Sequence, residues 1–481
     1  MDVLTKDLIK ISEENAVHNG AFSFLELMKT AGDTAYKIIC ENIETKNKKI
    51  AVVCGSGNNG GDGFVVAQNF ATSGNEVTVV LALGNPKTES AKYYFDKLKN
   101  VNVTDKLSGE YDVIIDAVFG IGLERELSKD LLSLVENINS QNAVRVAIDI
   151  PSGIESDSGK ILGGCVNADL TVTFIALKPC FLLPDATNFT GKVVVADIGV
   201  EPVGFKYKTI EAPKPFVRPK NSHKGTFGTA VMFCGSYGMA GASILSARAC
   251  LKSGVGIAKC VIPKSIYEIL TVAVPEAVCS IAKQTQNGGF KGNINLQKPL
   301  EKATAVLVGC GIGNTRNTKK LVKRILQKVK CPIVVDADGI NALVSNINVL
   351  KKTNASVVLT PHPAEMSRLL GISVKDVEQN RVDIATNFAK EYNCFVVLKG
   401  SNTIVATPDS QVFFNTCGNS GLATGGSGDV LAGMILSYLA QGLDTLNAVN
   451  TAVFLHSDVA DKVAYEIGEQ ALLPSDIIEA L

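Results

Sequence analysis

An α/β protein of two domains is the fold class this sequence predicts, and three observations predict it. Short apolar runs rich in valine and isoleucine alternate with helix-compatible stretches, and glycine-rich turns close several of those runs. The rhythm breaks once, near residue 211, and then resumes. Near-continuous apolar strands alternating with helices are the pattern of a parallel sheet covered on both faces. At 481 residues the chain also exceeds what one hydrophobic core usually serves.

The first series opens with "KIAVVC" at 49–54, a β-rich run that ends in glycines and leads into the helical "FVVAQNFATSG". "EVTVVLAL", "YDVIIDAVFG", "AVRVAIDIPSG", "DLTVTFI" and "GKVVVADIG" follow as buried strands. The break is "EAPKPFVRPK" at 211–220, where Pro213, Pro215 and Pro219 suit neither a helix nor a central strand. Residues 213–220 therefore read as a linker between a domain at 1–212 and a second at 221–481. The second series runs "GTAVMFCGS", "GIAKCVIP", "AVLVGCGIG", "PIVVDADG", "ASVVLTPHP", "CFVVLKG" and "NTIVAT", and the last 60 or so residues look helical.

Composition narrows the function classes. Lys and Arg number 47, as do Asp and Glu, so the formal net charge is zero, and no long basic run occurs. Nucleic acid and anionic membrane are poor partners for such a surface. None of the twelve cysteines forms a CxxC pair, and Cys54, Cys234, Cys250 and Cys394 lie inside apolar stretches. Buried free thiols in a reducing compartment are expected. "MDVLTKDLIKISEENAV" is amphipathic and lacks the apolar core of a signal peptide, and no apolar run is long enough to span a bilayer. A cytoplasmic location is expected.

Ligands of parallel sheets bind beyond the carboxyl ends of the strands. Asn58, Asn59, Asp62, Asp116, Asp149 and Ser152 all fall at such ends. Gly55, Gly57 and Gly60 fit GxGxxG, but the next strand ends "VVLALGN", without the carboxylate that grips an adenosine ribose. The helix start still offers unpaired amides to a pyrophosphate. The plainer alternative is a tight turn capped by Asn59 or Asp62. Asn59, Asp116 and Ser152 bring oxygen donors to one sheet edge with no His or Cys among them, which suits a monovalent cation better than zinc. Asp149 is left as a candidate acid or base, while an aspartate such as Asp116 can equally cap a helix.

The second cluster, "ATGGSGDVLAG", sets glycines and Asp429 at the start of an apolar helix. Amides there can hold a transferring phosphoryl group, and Asp429 can accept the proton of an attacking hydroxyl. The alternative is a glycine-rich helix start with Asp429 as its cap. "LKGSNTIVA" places Lys399, Gly400 and Thr403 between two strands, "LTPHPAEMSRLLG" places His362, Glu365 and Arg368 at a strand-to-helix turn, and "GCGIGNT" offers Gly311 and Gly313. The chain has no GxxxxGK[ST], so a P-loop is excluded.

Taken in order, "GSGNNGGDGFVVA", "YDVIIDAVFGIGLERELS", "AIDIPSGIESDSG" and "GKVVVADIGV" resemble the NAD(P)H-hydrate epimerases, a Rossmann-like three-layer fold, over nearly all of 1–205. The resemblance implies that Asn58, Asn59, Gly60, Gly61 and Asp62 line the site for hydrated NAD(P)H, together with Asp149. It implies the same of Gly120, Ile121, Gly122, Leu123, Glu124, Arg125 and Glu126, and it implies that Asn59, Asp116 and Ser152 hold K+. Lys29 stands where that family usually has glutamate.

From about 221 onward, "SHKGTFGTAVMFCGSYGMAGASILSARACLKSGVG", "DADGINAL", "TPHPAEMSRL", "KGSNT" and "NSGLATGGSGDVLAG" are similar to the ribokinase-like NAD(P)H-hydrate dehydratases. Here the resemblance implies that Gly313, His362, Pro363, Ala364, Glu365, Met366, Ser367 and Arg368 contact the hydrated dinucleotide, with Asp429 acting beside it. Lys399, Gly400, Ser401, Asn402 and Thr403 would hold the adenine nucleotide, with Asn419, Ser420, Gly421, Leu422, Ala423, Thr424, Gly425, Gly426, Ser427 and Gly428. Ala364 replaces a frequent glycine. The same resemblance implies ADP over ATP as phosphoryl donor, with Mg2+, and a homo-oligomer. The expected function is nicotinamide coenzyme repair: epimerisation of the R and S hydrates and dehydration of the S form. The competing readings are a ribokinase-like small-molecule kinase with a nucleotide-sensing N-terminal domain, and a non-catalytic binding protein.

Overall fold

In the computed structural model, which describes all residues except 205, 206 and 215, the chain divides into two units, Met1–Tyr207 and Lys208–Leu481. Pro215 of the proline-rich stretch thus lies outside the described residues. Within the second unit the neighbouring Phe216 stacks on Tyr438, ring centroids 5.4 Å apart.

The first unit is built on seven strands: β1 (Lys49–Cys54), β2 (Glu76–Leu81), β3 (Asn102–Thr104), β4 (Val113–Ala117), β5 (Val144–Ile148), β6 (Leu170–Phe174) and β7 (Lys192–Ala196). Their order is β3-β2-β1-β4-β5-β6-β7, and every pair is parallel. Alternate residues of β1 are buried in opposite directions. Ile50, Val52 and Cys54 share a core with α2 (Phe24–Asn42) and α3 (Asn58–Thr72), which supply Ala31, Ala35, Phe64 and Phe70. Ala51 and Val53 pack with Val135 and Ile138 of α4 (Lys129–Ser140). Both faces are covered, so the strands read as unbroken apolar runs. The order reverses between β1 and β4, which opens a crevice where a ligand binds in such folds. An earlier helix, α1 (Lys6–His18), lies beside that crevice: Lys6 donates from its backbone to Asp157 Oδ1 at 2.9 Å and from Nζ to Glu124 Oε1 at 2.7 Å. Lys29, the departure in α2, pairs with Asp33 one turn on and is exposed.

The second unit carries nine strands between Thr229 and Phe414: β8 (Thr229–Phe233), β9 (Ile257–Pro263), β10 (Val278–Ala282), β11 (Ala305–Val308), β12 (Ile333–Val335), β13 (Val357–Leu359), β14 (Phe395–Leu398), β15 (Ile404–Ala406) and β16 (Val412–Phe414). They lie in the order β16-β15-β14-β13-β12-β11-β8-β9-β10. All pairs are parallel except β14 with β15 and β15 with β16. The sheet is thus parallel, as the sequence predicts, apart from this antiparallel return. The connections there are too short for a crossover helix, so the chain turns back on itself.

On one face, Ala230 and Met232 of β8 pack with α5 (Ala240–Lys252), α9 (Ser427–Ala440) and α10 (Thr445–Ile467). Val231 and Phe233 are equally buried on the other. α9 is apolar around its whole circumference, with Val430 to Ala440 all buried, as a core helix must be. Among the described residues no helix is long and apolar enough to cross a membrane, and all twelve cysteines are free.

Candidate active sites

In the first unit, β1 ends in a glycine turn that only glycine can make. A Cβ on Gly55 would lie 2.0 Å from the Val118 carbonyl oxygen, and one on Gly60 would lie 2.0 Å from that of Gly55. The turn therefore presses the start of α3 against the loop after β4, and the first α3 amides face the crevice without intrahelical partners. Asn59 Nδ2 donates to the Ile148 carbonyl at 3.3 Å, which places Asn59 beside Asp149 on one side of the sheet. Asn59 Oδ1 is buried and has no hydrogen-bond partner.

Asp116, at the end of β4, is 1% exposed. It accepts from Ser152 N at 2.7 Å, Ser152 Oγ at 2.6 Å and Val118 N at 3.2 Å. Burial lifts its carboxyl to about 6 despite those donors. Ser152 Oγ in turn accepts from Phe119 N at 2.9 Å. Of the three residues grouped from sequence, Asp116 and Ser152 are bonded to each other, and Asn59 is tied to the end of β5 at Ile148. An orphaned buried amide oxygen and a buried carboxylate at strand ends are donors of the kind an oxygen-ligated cation takes.

Asp149 follows β5 with φ +68°, a left-handed conformation costly to a non-glycine residue. Its Oδ2 accepts from Ile121 N at 3.0 Å, and its Oδ1 faces Thr173 Oγ1 at 3.3 Å and Lys178 Nζ at 2.8 Å. Lys178 is fully buried. Two more carboxyls face this pair. Glu13 of α1 is pushed up to about 7, first by burial and then by Asp149. Asp62 of α3 is raised well above the carboxylate range by burial, then Asp149 and Glu13. Of the run 120–126, Gly120 and Ile121 touch Asp149. Leu123 packs into the core, while Gly122, Glu124, Arg125 and Glu126 are exposed.

In the second unit, α9 starts at Gly426, whose φ of +103° lets the chain turn abruptly into the helix. Asp429 sits in the first turn beside Asp336, from the end of β12, and Cys310, from the end of β11; their ligand atoms lie within 4.8 Å of one another. Asp336 is held by Thr360 Oγ1 at 2.6 Å and Lys399 Nζ at 3.1 Å. Burial, then the charge on Asp336, lifts Asp429 to about 7, against the opposing Cys310 thiol and Lys399. A Cβ on Gly428 would come 3.2 Å from Lys399 Nζ, so the ammonium rests against the helix start. Behind it, His456 Nε2 lies 3.3 Å from Ser427 Oγ. Burial drops that imidazole to about 4, so it is neutral near pH 7.

The remaining residues singled out from sequence divide between cleft and interior. Gly313 N donates to Asp338 Oδ2 at 2.7 Å, which ties its loop to β12. In the helix α7 (Pro363–Leu370), Glu365 is buried and caps His362 N at 2.9 Å, and Ala364 N donates to His362 Nδ1 at 3.2 Å. Met366 is fully buried, and Ser367 Oγ is committed to the Ile372 carbonyl. His362 and Arg368 are the exposed members of that run, and Arg368 reaches Asn341 Oδ1 at 2.9 Å. The 399–403 turn is set from beneath by Arg381 of α8 (Arg381–Tyr392), which donates to the carbonyls of Ser401 at 2.9 Å and Leu398 at 3.2 Å. Asn419 bonds Asp461 Oδ1 at 2.8 Å and Gly421 N at 3.0 Å, while Ser420 N reaches Glu469, so the 419–421 turn is anchored to the end of α10. Leu422 packs on the core, while Ala423, Thr424 and Gly425 are exposed.

Lys178, Glu13, Asp336 and Cys310 were missed as site residues. Asp336 carried the signal that picked out Asp116, an aspartate closing an apolar strand. Lys178 also left a mark, a lone lysine inside the apolar "FIALKPCFLL".

Two glycine-rich helix starts, each with an aspartate nearby at the ends of parallel strands, mark an α/β protein with two candidate ligand sites. Residues 25–180 match the YjeF-related protein N-terminus family, and residues 230–481 match the NAD(P)H-hydrate dehydratase family. Similar full-length relatives are bifunctional NAD(P)H-hydrate repair enzymes. That of Moorella thermoacetica is 33% identical over 95% of this chain and 91% of its own. That of Thermofilum pendens is 35% identical over 98% and 94%, and that of Escherichia coli 33% over 99% and 92%. A solved ADP/ATP-dependent NAD(P)H-hydrate dehydratase from Bacillus subtilis is 29% identical with a TM-score of 0.47, covering 55% of this chain and 91% of that one. The chain belongs to the bifunctional NAD(P)H-hydrate repair enzyme family.

Proposed function

We propose that the first unit interconverts the R and S hydrates of NAD(P)H at Asp149, and that the second dehydrates the S form at Asp429 with ADP as donor. The observation that carries this reading is the pairing, in each unit, of a glycine-rich helix start with one carboxyl group: Asp149 just beyond β5, and Asp429 in the first turn of α9 beside Asp336. Hydration leaves a hydroxyl on the nicotinamide ring, and hydroxide is a poor leaving group. Transfer of the terminal phosphoryl of ADP to that oxygen creates a good one. The ring nitrogen lone pair then expels phosphate, so the products are NAD(P)H, AMP and phosphate.

Asp429, poised near neutrality, takes the hydroxyl proton as the oxygen attacks. The amides of Gly425, Gly426 and Gly428 and the positive end of α9 stabilise the phosphoryl charge, while the Ser427 amide is bonded to the Thr424 carbonyl. Lys399 adds a cation at the same spot. Asp336 would hold Mg2+, which would supply positive charge to the donor phosphates. The 399–403 and 419–428 turns hold the nucleotide, and His362 and Arg368 face the hydrate. In the first unit, Asn59, Asp116 and Ser152 would hold K+, which supplies positive charge where the dinucleotide phosphates approach.

The test is incubation of the chain with both hydrates, magnesium and either nucleotide, following recovery of absorbance by the reduced ring. Complete conversion of both forms, faster with ADP than ATP, is expected. The Asp149→Asn variant should stop at the S fraction. A stable phosphorylated product, with no reduced ring regained, would overturn the scheme in favour of a kinase. Potassium is tested without turnover: KCl should raise the melting midpoint by about 3–5 °C over LiCl at equal ionic strength. Asn59→Leu should abolish that difference, and an unchanged difference in the variant would remove Asn59 from the ion site.

A further inference from the structure

Asp149 is held by a residue that nothing so far assigns. Lys178 Nζ contacts Asp149 Oδ1 at 2.8 Å, Thr173 Oγ1 at 2.6 Å and the Phe174 carbonyl at 2.9 Å. An ammonium has three N–H donors, and here all three are spent on protein oxygens. None is left for a substrate. The side chain is fully buried, so its charge stays in the interior only because Asp149 balances it.

The backbone is distorted to make this pair. Asp149 has φ +68°, with Ile150 N bonded to the Ile148 carbonyl at 3.0 Å. Ile175 has φ +67°, with Ala176 N bonded to the Phe174 carbonyl at 2.8 Å. Each corner thus has the rare three-residue turn with positive φ at its centre, which a β-branched isoleucine tolerates poorly. One corner delivers the carboxylate and the other leads the chain round to Lys178. Strain at two adjacent strand ends that meet in one ion pair points to a pair maintained for its chemistry.

We infer that Lys178 is a positioning residue of the epimerase: it fixes Asp149 as an oriented carboxylate, with Oδ2 turned toward the loop at Gly120 and Ile121. The inference rests on the reading of Asp149 as the reacting carboxyl. The other groups facing Asp149 agree with it. Glu13 from α1 is pushed up to about 7 and Asp62 from α3 is raised well above its ordinary value, first by burial and then by Asp149, so both carboxyls face the charge on Asp149. Thr173 from β6 and the Ile121 amide complete its surroundings.

Full-length Lys178→Met, Lys178→Arg and Asp149→Asn are compared with the parent for R-to-S interconversion across pH. Dehydration of the S form by the same chain serves as the internal control. Lys178→Met should lose about 100-fold in kcat at pH 7, with little change in KM, and regain much of it at higher pH. Without the ammonium, the buried carboxyl loses the partner that balances its charge. Lys178→Arg should restore most of the rate with the parent's pH profile. A Lys178→Met rate within about twofold of the parent, with its profile unmoved, overturns the inference. So does a loss equal at every pH and not rescued by arginine, since that marks a merely structural lysine. If Asp149→Asn keeps full interconversion, it is the reading of Asp149 that fails instead.

Discussion

Asp429→Asn lowers dehydration of the S hydrate by roughly 10³-fold in kcat and leaves R-to-S interconversion by the same chain at the parent rate. Asparagine fills the same volume but cannot take the hydroxyl proton. The helix-start amides remain, so nucleotide affinity should change little. In the parent, the carboxyl is lifted to about 7 by burial and by Asp336, so the dehydration rate should climb between about pH 6 and 8 as Asp429 releases its proton. Stability moves in the opposite direction. A folded-state carboxyl near 7, against 3.8 unfolded, means that the folded chain binds more protons between those values. The stability it contributes is present at low pH and is lost as pH rises through the folded value. The asparagine variant should therefore be more stable at pH 8, on the order of 2–4 kcal/mol in the second unit, and no more stable near pH 4. Full dehydration activity in the variant, or a flat parent profile, would remove Asp429 from the reaction.

Gly120→Ala is the corresponding experiment in the first unit. A Cβ at this position would lie 2.4 Å from Asp149 Oδ2 and 3.2 Å from its Cγ. The carboxylate must swing away, and the Ile121 amide, now 3.0 Å from Oδ2, loses its partner. Displacement of a reacting group by about 1 Å costs on the order of 100-fold, and that loss is expected in interconversion. Destabilisation of roughly 1–3 kcal/mol should accompany it. Dehydration of the S form should be untouched, since the lesion lies wholly in the first unit. A variant that interconverts at the parent rate would show that Asp149 is not fixed at the reacting point.

The residues legible in the sequence are those whose neighbours carry the message. β1, β4, β5 and β6 announced themselves as apolar runs because both their faces are buried, and glycine-bearing turns follow the first three. β3, β10 and β16 did not. β3 is a mostly exposed strand at the sheet edge, and β10, at an edge too, exposes Val278 and Ile281. Edge strands have one paired side and mixed exposure, so periodicity carries little signal for them, while β16 is only three residues long. Asn59, Asp116 and Ser152 could be grouped because each lies at or a few residues beyond the end of a strand.

The Asp149–Lys178 pair could not, since the partners lie 29 positions apart and meet only after two strained corners turn them together. Met366 and Leu123 show the reverse case. They stand inside segments expected to line a ligand, Leu123 in a loop and Met366 in α7, but their side chains are buried.

The corners at Asp149 and Ile175 set a trap for anyone engineering this chain. Each stores backbone energy of about 1–3 kcal/mol, so a screen that scores heat tolerance alone will favour glycine there. The hardiest clones from such a library would keep the second reaction and silently lose the first, and only an assay begun from the R hydrate would expose them.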